Sequence, residues 1–259
     1  TGTLSTCIGG SNTLTSTTTG GTWASSATGI ATIGATTGIV QGVASGNATI
    51  TYTVASGVNS ACTNSTTAVV IVNSLPTATV GTIATVLSNA TTFSIPLSAT
   101  TGTPDQFSII AGSPAMSSFS AVSAGTISGT SINVTLPASK TAGSYGFSLR
   151  VKKSTTGCES AASSISLAVA KIITTGTISA FTTCIGTASA SQSFTVTSSD
   201  LTNNLTITAP SGYEVSRTSS SAGYQDTVIL VQSSGSIAAT AIYVRIKASY
   251  PTTGTTSSS

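Results

Sequence analysis

"TTGIVQGVASGNATITYTV" (36–54) is the stretch on which the reading of this chain turns. Its second half alternates without a break: Ala48, Ile50, Tyr52 and Val54 fall on one face, and Thr49, Thr51 and Thr53 on the other. A period of two is the signature of a strand with one buried and one wet side. The first half carries Gly38, Gly42 and Gly46, four residues apart. Spaced glycines can cradle a phosphate, but a dinucleotide fingerprint needs a strand before it and a helix after it. Here a strand follows, so these glycines are read as turn and bulge positions where the backbone needs a positive φ or a close approach.

The same alternation recurs along the chain. Phe93, Ile95 and Leu97 form one set; Ile132, Val134 and Leu136 another; then come Tyr145, Phe147, Leu149 and Val151, with Ser148, Arg150 and Lys152 opposite them. Ile165, Leu167 and Val169 follow, then Phe194 and Val196, Leu205 and Ile207, Val228 and Leu230, and finally Ile242, Val244 and Ile246. "TTAVVIVNS" (66–74) closes a first segment, and Pro76, with no N–H for a ladder, marks a boundary after it. No window offers an amphipathic helix. Many short strands separated by Gly, Ser and Asn turns predict an all-β chain of tandem immunoglobulin-like antiparallel β-sandwiches, divided at 1–75, 76–171 and 172–259.

Composition narrows the chemistry. Only 5% of the 259 residues are charged, against about a quarter in an ordinary soluble domain. Histidine is absent, the acids are Asp105, Glu159, Asp200, Glu214 and Asp226, and every base lies from Lys140 onward. Nothing before Asp105 carries a side-chain charge, so that region has no carboxylate for acid–base work or for a metal. Serines abound, but no histidine can activate one and no Gly-x-Ser-x-Gly elbow is present. The expectation is therefore no enzyme, no catalytic residue, no metal and no cofactor. Asp200, Glu214 and Asp226 read as scattered turn carboxylates rather than a calcium site or a glycosidase pair. Tyr213, Tyr224 and Tyr243 read as packed strand residues rather than a sugar platform. Threonine suits such strands, because its branched Cβ is stiff on a pleated surface and its hydroxyl faces water without a charge.

The net charge of +3 is small and Lys152-Lys153 is the densest basic spot, so neither nucleic acid nor an anionic membrane surface is implied. No apolar run reaches the length of a membrane span and no basic region followed by an apolar one opens the chain. A mature or internal piece of a longer protein is the expectation. Asn47, Asn64, Asn89, Asn133 and Asn204 begin N-x-S/T sequons, which arise readily by chance in so Ser/Thr-rich a chain.

The residues "GTWASSATGIATIGATTGIVQGVASGNATITYTV" (21–54) resemble the bacterial immunoglobulin-like group 2 module. The matching positions are Trp23, Ala31, Thr32, Ile33, Gly38, Val40, Gly42, Val43, Gly46, Ala48, Ile50 and Thr51, and the chain departs from that family in lacking its usual charges. Residues 175–249 resemble a β-sandwich module of Bacteroidota surface proteins exported by the type IX system. That resemblance implies a long cell-surface protein with further strands after the Tyr243-Val244-Arg245 strand, so the third sandwich is expected to lack its last strand or strands or to receive one from a neighbouring subunit. Nothing matches a type IX sorting tail. Asp226-Thr227-Val228 looks like the Bacteroidota O-glycosylation signal, which implies a glycan on Thr227.

Cys7, Cys62, Cys158 and Cys184 are even in number, contain no C-x-x-C pair and have no histidine beside them, which disfavours zinc and thioredoxin-like chemistry and favours disulfides outside the cell. Cys7 sits at the start of the first sandwich and Cys62 just before its last strand; pairing them would contribute about 4 kcal/mol on the chain-entropy argument. Cys158 and Cys184 would then staple the second sandwich to the third, the alternative being two unpaired, buried thiols. The function expected is a non-catalytic structural or adhesive array on the cell surface, a stalk or filament whose partners are neighbouring copies or domains. The alternative is a glycan-binding or ice-binding accessory region of a larger secreted protein or enzyme. Donor-strand exchange between copies is a further expectation for how such a chain polymerises.

Overall fold

The computed structural model describes residues 4–56 and 62–249, with the side chains of Ser56 and Cys62 outside that description. The described residues are all strand, turn and loop, arranged as tandem immunoglobulin-like sandwiches around three apolar cores. We call the residues around each core a module.

Module 1 holds β1 (Leu4–Cys7), β2 (Ser11–Thr13), β3 (Thr22–Ser25), β4 (Ala31–Ile33), β5 (Ile39–Gly42), β6 (Gly46–Ser56) and β7 (Cys62–Asn73). One sheet runs β1-β7-β6-β3 and faces a second, β2-β5-β4. The alternation of β6 does what its sequence requires: Ala48, Ile50 and Tyr52 point into the sandwich, on the same face as Val70 and Val72 of the neighbouring strand β7, with Ala48 paired to Val70. Trp23 packs over the same core with its ring 4.5 Å from that of Tyr52. The Tyr52 hydroxyl donates to the Thr18 carbonyl at 2.8 Å and accepts from the Gly21 N–H at 2.9 Å, which satisfies the one polar atom it brings inward.

Module 2 holds β8 (Thr77–Val80), β9 (Val86–Leu87), β10 (Thr92–Thr101), β11 (Gln106–Ala111), β12 (Val122–Thr126), β13 (Ser131–Thr135), β14 (Gly143–Lys152) and the first part of β15 (Ser163–Thr175). Its core is the largest: Phe93, Ile95, Leu97, Ile109, Ile132, Val134, Phe147, Leu149, Val151, Leu167 and Val169 are all buried there, with Phe147 between the rings of Phe93 and Phe119.

Module 3 begins within β15 and continues with β16 (Gln192–Ser199), β17 (Leu205–Thr208), β18 (Tyr213–Ser216), β19 (Thr227–Leu230) and β20 (Ile237–Ile246). Among the described residues its second sheet has two strands, β17 and β19, set against the sheet β15-β16-β20-β18.

The modules meet in two different ways. Between modules 1 and 2 the chain crosses on Ser74, Leu75 and Pro76, and Pro76 is buried against the turn at Gly102. Between modules 2 and 3 there is no linker. Residues Ser163–Val169 of β15 pair with β14 in module 2, and Lys171–Thr175 of the same strand pair with β16 in module 3, so one ladder runs through both sandwiches. At the crossing point Ala170 is fully buried, its carbonyl accepts from the Ser88 N–H at 2.8 Å, and the Thr85 and Thr202 hydroxyls meet across the joint at 2.6 Å.

Candidate functional site

The junction between modules 1 and 2 is built from polar contacts on both of its sides. β1 pairs with β7 in parallel, Cys7 opposite Asn73, so Cys7 lies at the end of module 1 that faces module 2. Asn73 holds that end: its side-chain amide donates to the Ser5 hydroxyl at 2.6 Å, and its carbonyl accepts from the Ile8 N–H at 3.0 Å. Gly42 closes the other side. A Cβ there would stand 2.5 Å from the Cys7 carbonyl and 2.9 Å from Val72, so only glycine lets β5 come this close. Gly38 and Gly46 have φ of 68° and 147°.

From module 2, the hairpin between β14 and β15 reaches the same place. Its turn is closed by the Gly157 N–H on the Lys153 carbonyl at 2.8 Å and the Lys153 N–H on the Cys158 carbonyl at 2.9 Å. Asp105 braces its base, taking the Ser154 hydroxyl at 2.6 Å and the Ser154 N–H at 2.7 Å, with Lys153 Nζ 3.8 Å away. The Ser154 hydroxyl first, its N–H next and the Lys153 charge after them hold the Asp105 carboxyl below its ordinary value.

Cys7 and Cys158 are bonded across this junction, their Cα atoms 5.6 Å apart and 151 residues apart in sequence. This overturns both expected pairings. Cys7 and Cys62 do lie on paired first and last strands, but the pairing is parallel. Cys62 therefore opens β7 at one end of the module while Cys7 faces Asn73 at the other, roughly 36 Å of strand away. A disulfide spans only about 4.4–6.8 Å between Cα atoms. Cys158, bonded to Cys7, is unavailable to Cys184, which is unpaired and exposed.

The other candidate residues are dispersed. Glu214 bonds Arg245 Nε at 2.7 Å on the outer face of module 3, where Tyr224 lies 3.8 Å over the same guanidinium. Asp226 pairs with Lys247 on that face. Tyr213 turns inward instead, its ring edge-on to Phe181 at 5.7 Å, so the tyrosines do not share one platform. Asp200 sits in a turn with φ of 60°, and Glu159 bridges Lys152 through backbone pairing. Thr227 opens β19 half-buried, 3.4 Å from the Thr208 hydroxyl. The five sequon asparagines are all exposed. Among the described residues no group of three or more His, Cys, Asp or Glu gathers as a metal set, and no helix is long and apolar enough to cross a membrane. Module 3 holds an open cavity of about 450 Å³, lined by Ile178, Phe181, Phe194, Pro210, Tyr213 and Val244.

One feature escaped the sequence reading. Thr6-Cys7-Ile8-Gly9 recurs as Thr183-Cys184-Ile185-Gly186. Both copies fold into the same turn: the Gly10 N–H donates to the Cys7 carbonyl at 2.9 Å and the Thr187 N–H to the Cys184 carbonyl at 3.1 Å, with Gly9 and Gly186 at φ of 78° and 82°. A residue with a Cβ is strained there. The shared tetrapeptide was the available signal.

The sandwiches define the class of the protein: an array of immunoglobulin-like modules. The sequence matches no protein-family model and no curated protein. Among solved structures, a three-domain immunoglobulin segment of titin is 13% identical, covering 95% of this chain and 85% of that one, with a TM-score of 0.34. Domains 4 and 5 of the S-layer protein SbsC are 15% identical over 58% of this chain and 70% of that one, with a TM-score of 0.20. A Bacteroides ovatus glucan-utilization protein, SGBP-B, solved with a mixed-linkage heptasaccharide, is 16% identical over 95% and 72%, with a TM-score of 0.28. Likenesses this distant carry no argument about what this chain binds.

Proposed function

We propose that the chain is a non-catalytic structural or adhesive segment of an extracellular bacterial protein, a stalk or filament of three immunoglobulin-like domains with boundaries at 1–75, 76–171 and 172–259. The observation that carries this is the construction of the junctions. A disulfide ties module 1 to module 2 across a three-residue linker, and a single strand ties module 2 to module 3. A spacer that carries length or force needs the relative orientation of its modules held. A disulfide persists in an oxidising compartment, which supports a surface location, and the resemblance to group 2 and type IX-exported modules supports a Bacteroidota surface protein. Sparse charge fits packing against copies or neighbouring domains, because hydroxyl-rich faces meet without desolvating ions. Small-angle scattering on the oxidised chain, then on the reduced chain, tests the reading. An elongated, narrow distance distribution that broadens on reduction supports it; a collapsed or equally broad distribution in both states overturns it.

A second reading, contact with surface glycans, is favoured by the three aromatic rings at the cavity of module 3. Calorimetric titration with a panel of oligosaccharides, repeated on Phe194→Ala, tests it: heat that disappears in the variant supports a sugar site, and no heat with any sugar excludes one for that panel.

A further inference from the structure

The loop between β2 and β3 bounds an open pocket of about 340 Å³ in module 1. Trp23, the only tryptophan of the chain, forms one wall beside Tyr52, and Thr15, Thr18, Thr19 and Thr36 stand around it. Pockets that take small ligands begin at about 300 Å³ and set a few polar groups around an apolar surface. This one has that composition.

Its rim is held in place before any ligand arrives. The Ser16 hydroxyl accepts from the Thr18 N–H at 3.2 Å, and the Tyr52 hydroxyl ties down the Thr18 carbonyl at 2.8 Å and the Gly21 N–H at 2.9 Å. Two glycines let the backbone close on the aromatic pair. A Cβ on Gly21 would stand 2.5 Å from the Tyr52 ring, and one on Gly38, at φ of 68°, would stand 2.3 Å from the Leu14 carbonyl. A rim fixed in this way loses little freedom on binding.

The polar groups of that rim are unspent. The hydroxyls of Thr15, Thr18, Thr19 and Thr36 and the Trp23 Nε1–H make no hydrogen bond among the described residues. Among the described buried side-chain polar atoms only the Ser198 hydroxyl lacks a partner, so the indole N–H is reached by solvent. Each hydroxyl both donates and accepts, and the indole donates. Charge is missing altogether: no side chain before Asp105 carries one. The pocket also lies far from module 2, because Tyr52 is six residues (52 minus 46), roughly 20 Å of strand, from the Gly46–Val72 pairing at the junction.

A ligand matched to these walls is uncharged, bears several hydroxyls and has a flat apolar face for the indole. A neutral hexose ring has all three features, with hydroxyls around its edge and C–H groups on its face. An acidic sugar lacks the first, since nothing in the module offsets the desolvation of a carboxylate. We propose that this pocket binds a neutral hexose unit of a surface polysaccharide. The proposal rests on the glycan reading for its ligand class, but gives that ligand a site of its own in module 1, separate from the cavity of module 3.

The single tryptophan makes the test direct, because its fluorescence reports on this pocket. The full oxidised chain is titrated with cellohexaose, laminarihexaose and mannohexaose, and with hexagalacturonate as the acidic counterpart. At least one neutral oligosaccharide should give a saturable emission change, and hexagalacturonate should give none. Thr19→Val and Thr36→Val keep the shape and remove one hydroxyl each. Both should melt as the wild type does and bind about tenfold more weakly. Phe194→Ala, in module 3, should leave the response unchanged. No saturable change with any neutral probe, an equal response to hexagalacturonate, or valine variants that bind as tightly as the wild type overturns the proposal. A response lost in Phe194→Ala overturns it too, while leaving the glycan reading standing at the module 3 cavity.

Discussion

Pulled from its two ends, the oxidised chain should release far less length than the reduced one. Force enters module 1 near Cys7 and passes through the disulfide to Cys158, so the segment between them is shielded. At about 3.5 Å per extended residue, those 151 residues hide roughly 530 Å of contour length. Single-molecule force spectroscopy in the presence and absence of a reductant reads that difference directly, as does the Cys158→Ser chain without reductant. The increment also discriminates between pairings. A Cys7–Cys62 bond would hide 55 residues (62 minus 7), roughly 190 Å, and a Cys158–Cys184 bond 26 residues (184 minus 158), roughly 90 Å. An increment near either smaller value, or none, refutes the junction as described. The same bond should raise the free energy of unfolding modules 1 and 2 together by about 5 kcal/mol on the chain-entropy model. Module 1 depends on it most, since its cluster holds six buried residues against fifteen in module 2.

Three further outcomes follow from named contacts. Gly42→Ala forces a methyl against the Cys7 carbonyl and Val72, and should cost module 1 about 1–3 kcal/mol; calorimetry showing an unchanged melting temperature would contradict it. Asp105 has its carboxyl held below 3.8 by Ser154 and Lys153, so its contribution is present above that ordinary value and lost as pH falls through the lower, folded value; a carboxyl NMR titration should show the depressed midpoint, and Ser154→Ala should move it back upward. Lys171→Pro removes an N–H where β15 passes from one module to the next, and should turn the rigid joint into a hinge that scattering detects as a broader distance distribution; an unchanged distribution would mean that the strand does not hold the joint.

The strands and their buried faces were legible in the sequence because they obey a local rule. A residue that alternates apolar and polar neighbours can satisfy both faces of a sheet only as a strand, and Ala48, Ile50 and Tyr52, or Phe147, Leu149 and Val151, need no distant information to declare which side faces in. Low charge and the lack of histidine likewise limit chemistry without reference to shape. Which strands pair, and in which direction, is non-local. The parallel pairing of β1 with β7 places Cys7 beside Asn73 instead of Cys62, a reversal that no spacing along the chain reveals. Nor does the run from Ser163 to Thr175 say that its two halves belong to different sandwiches, since one alternation serves both ladders. Sequence determined that this chain is a series of sandwiches; only the tertiary structure decided which ends touch, because a disulfide joins whatever the packing of whole modules brings within about 6 Å.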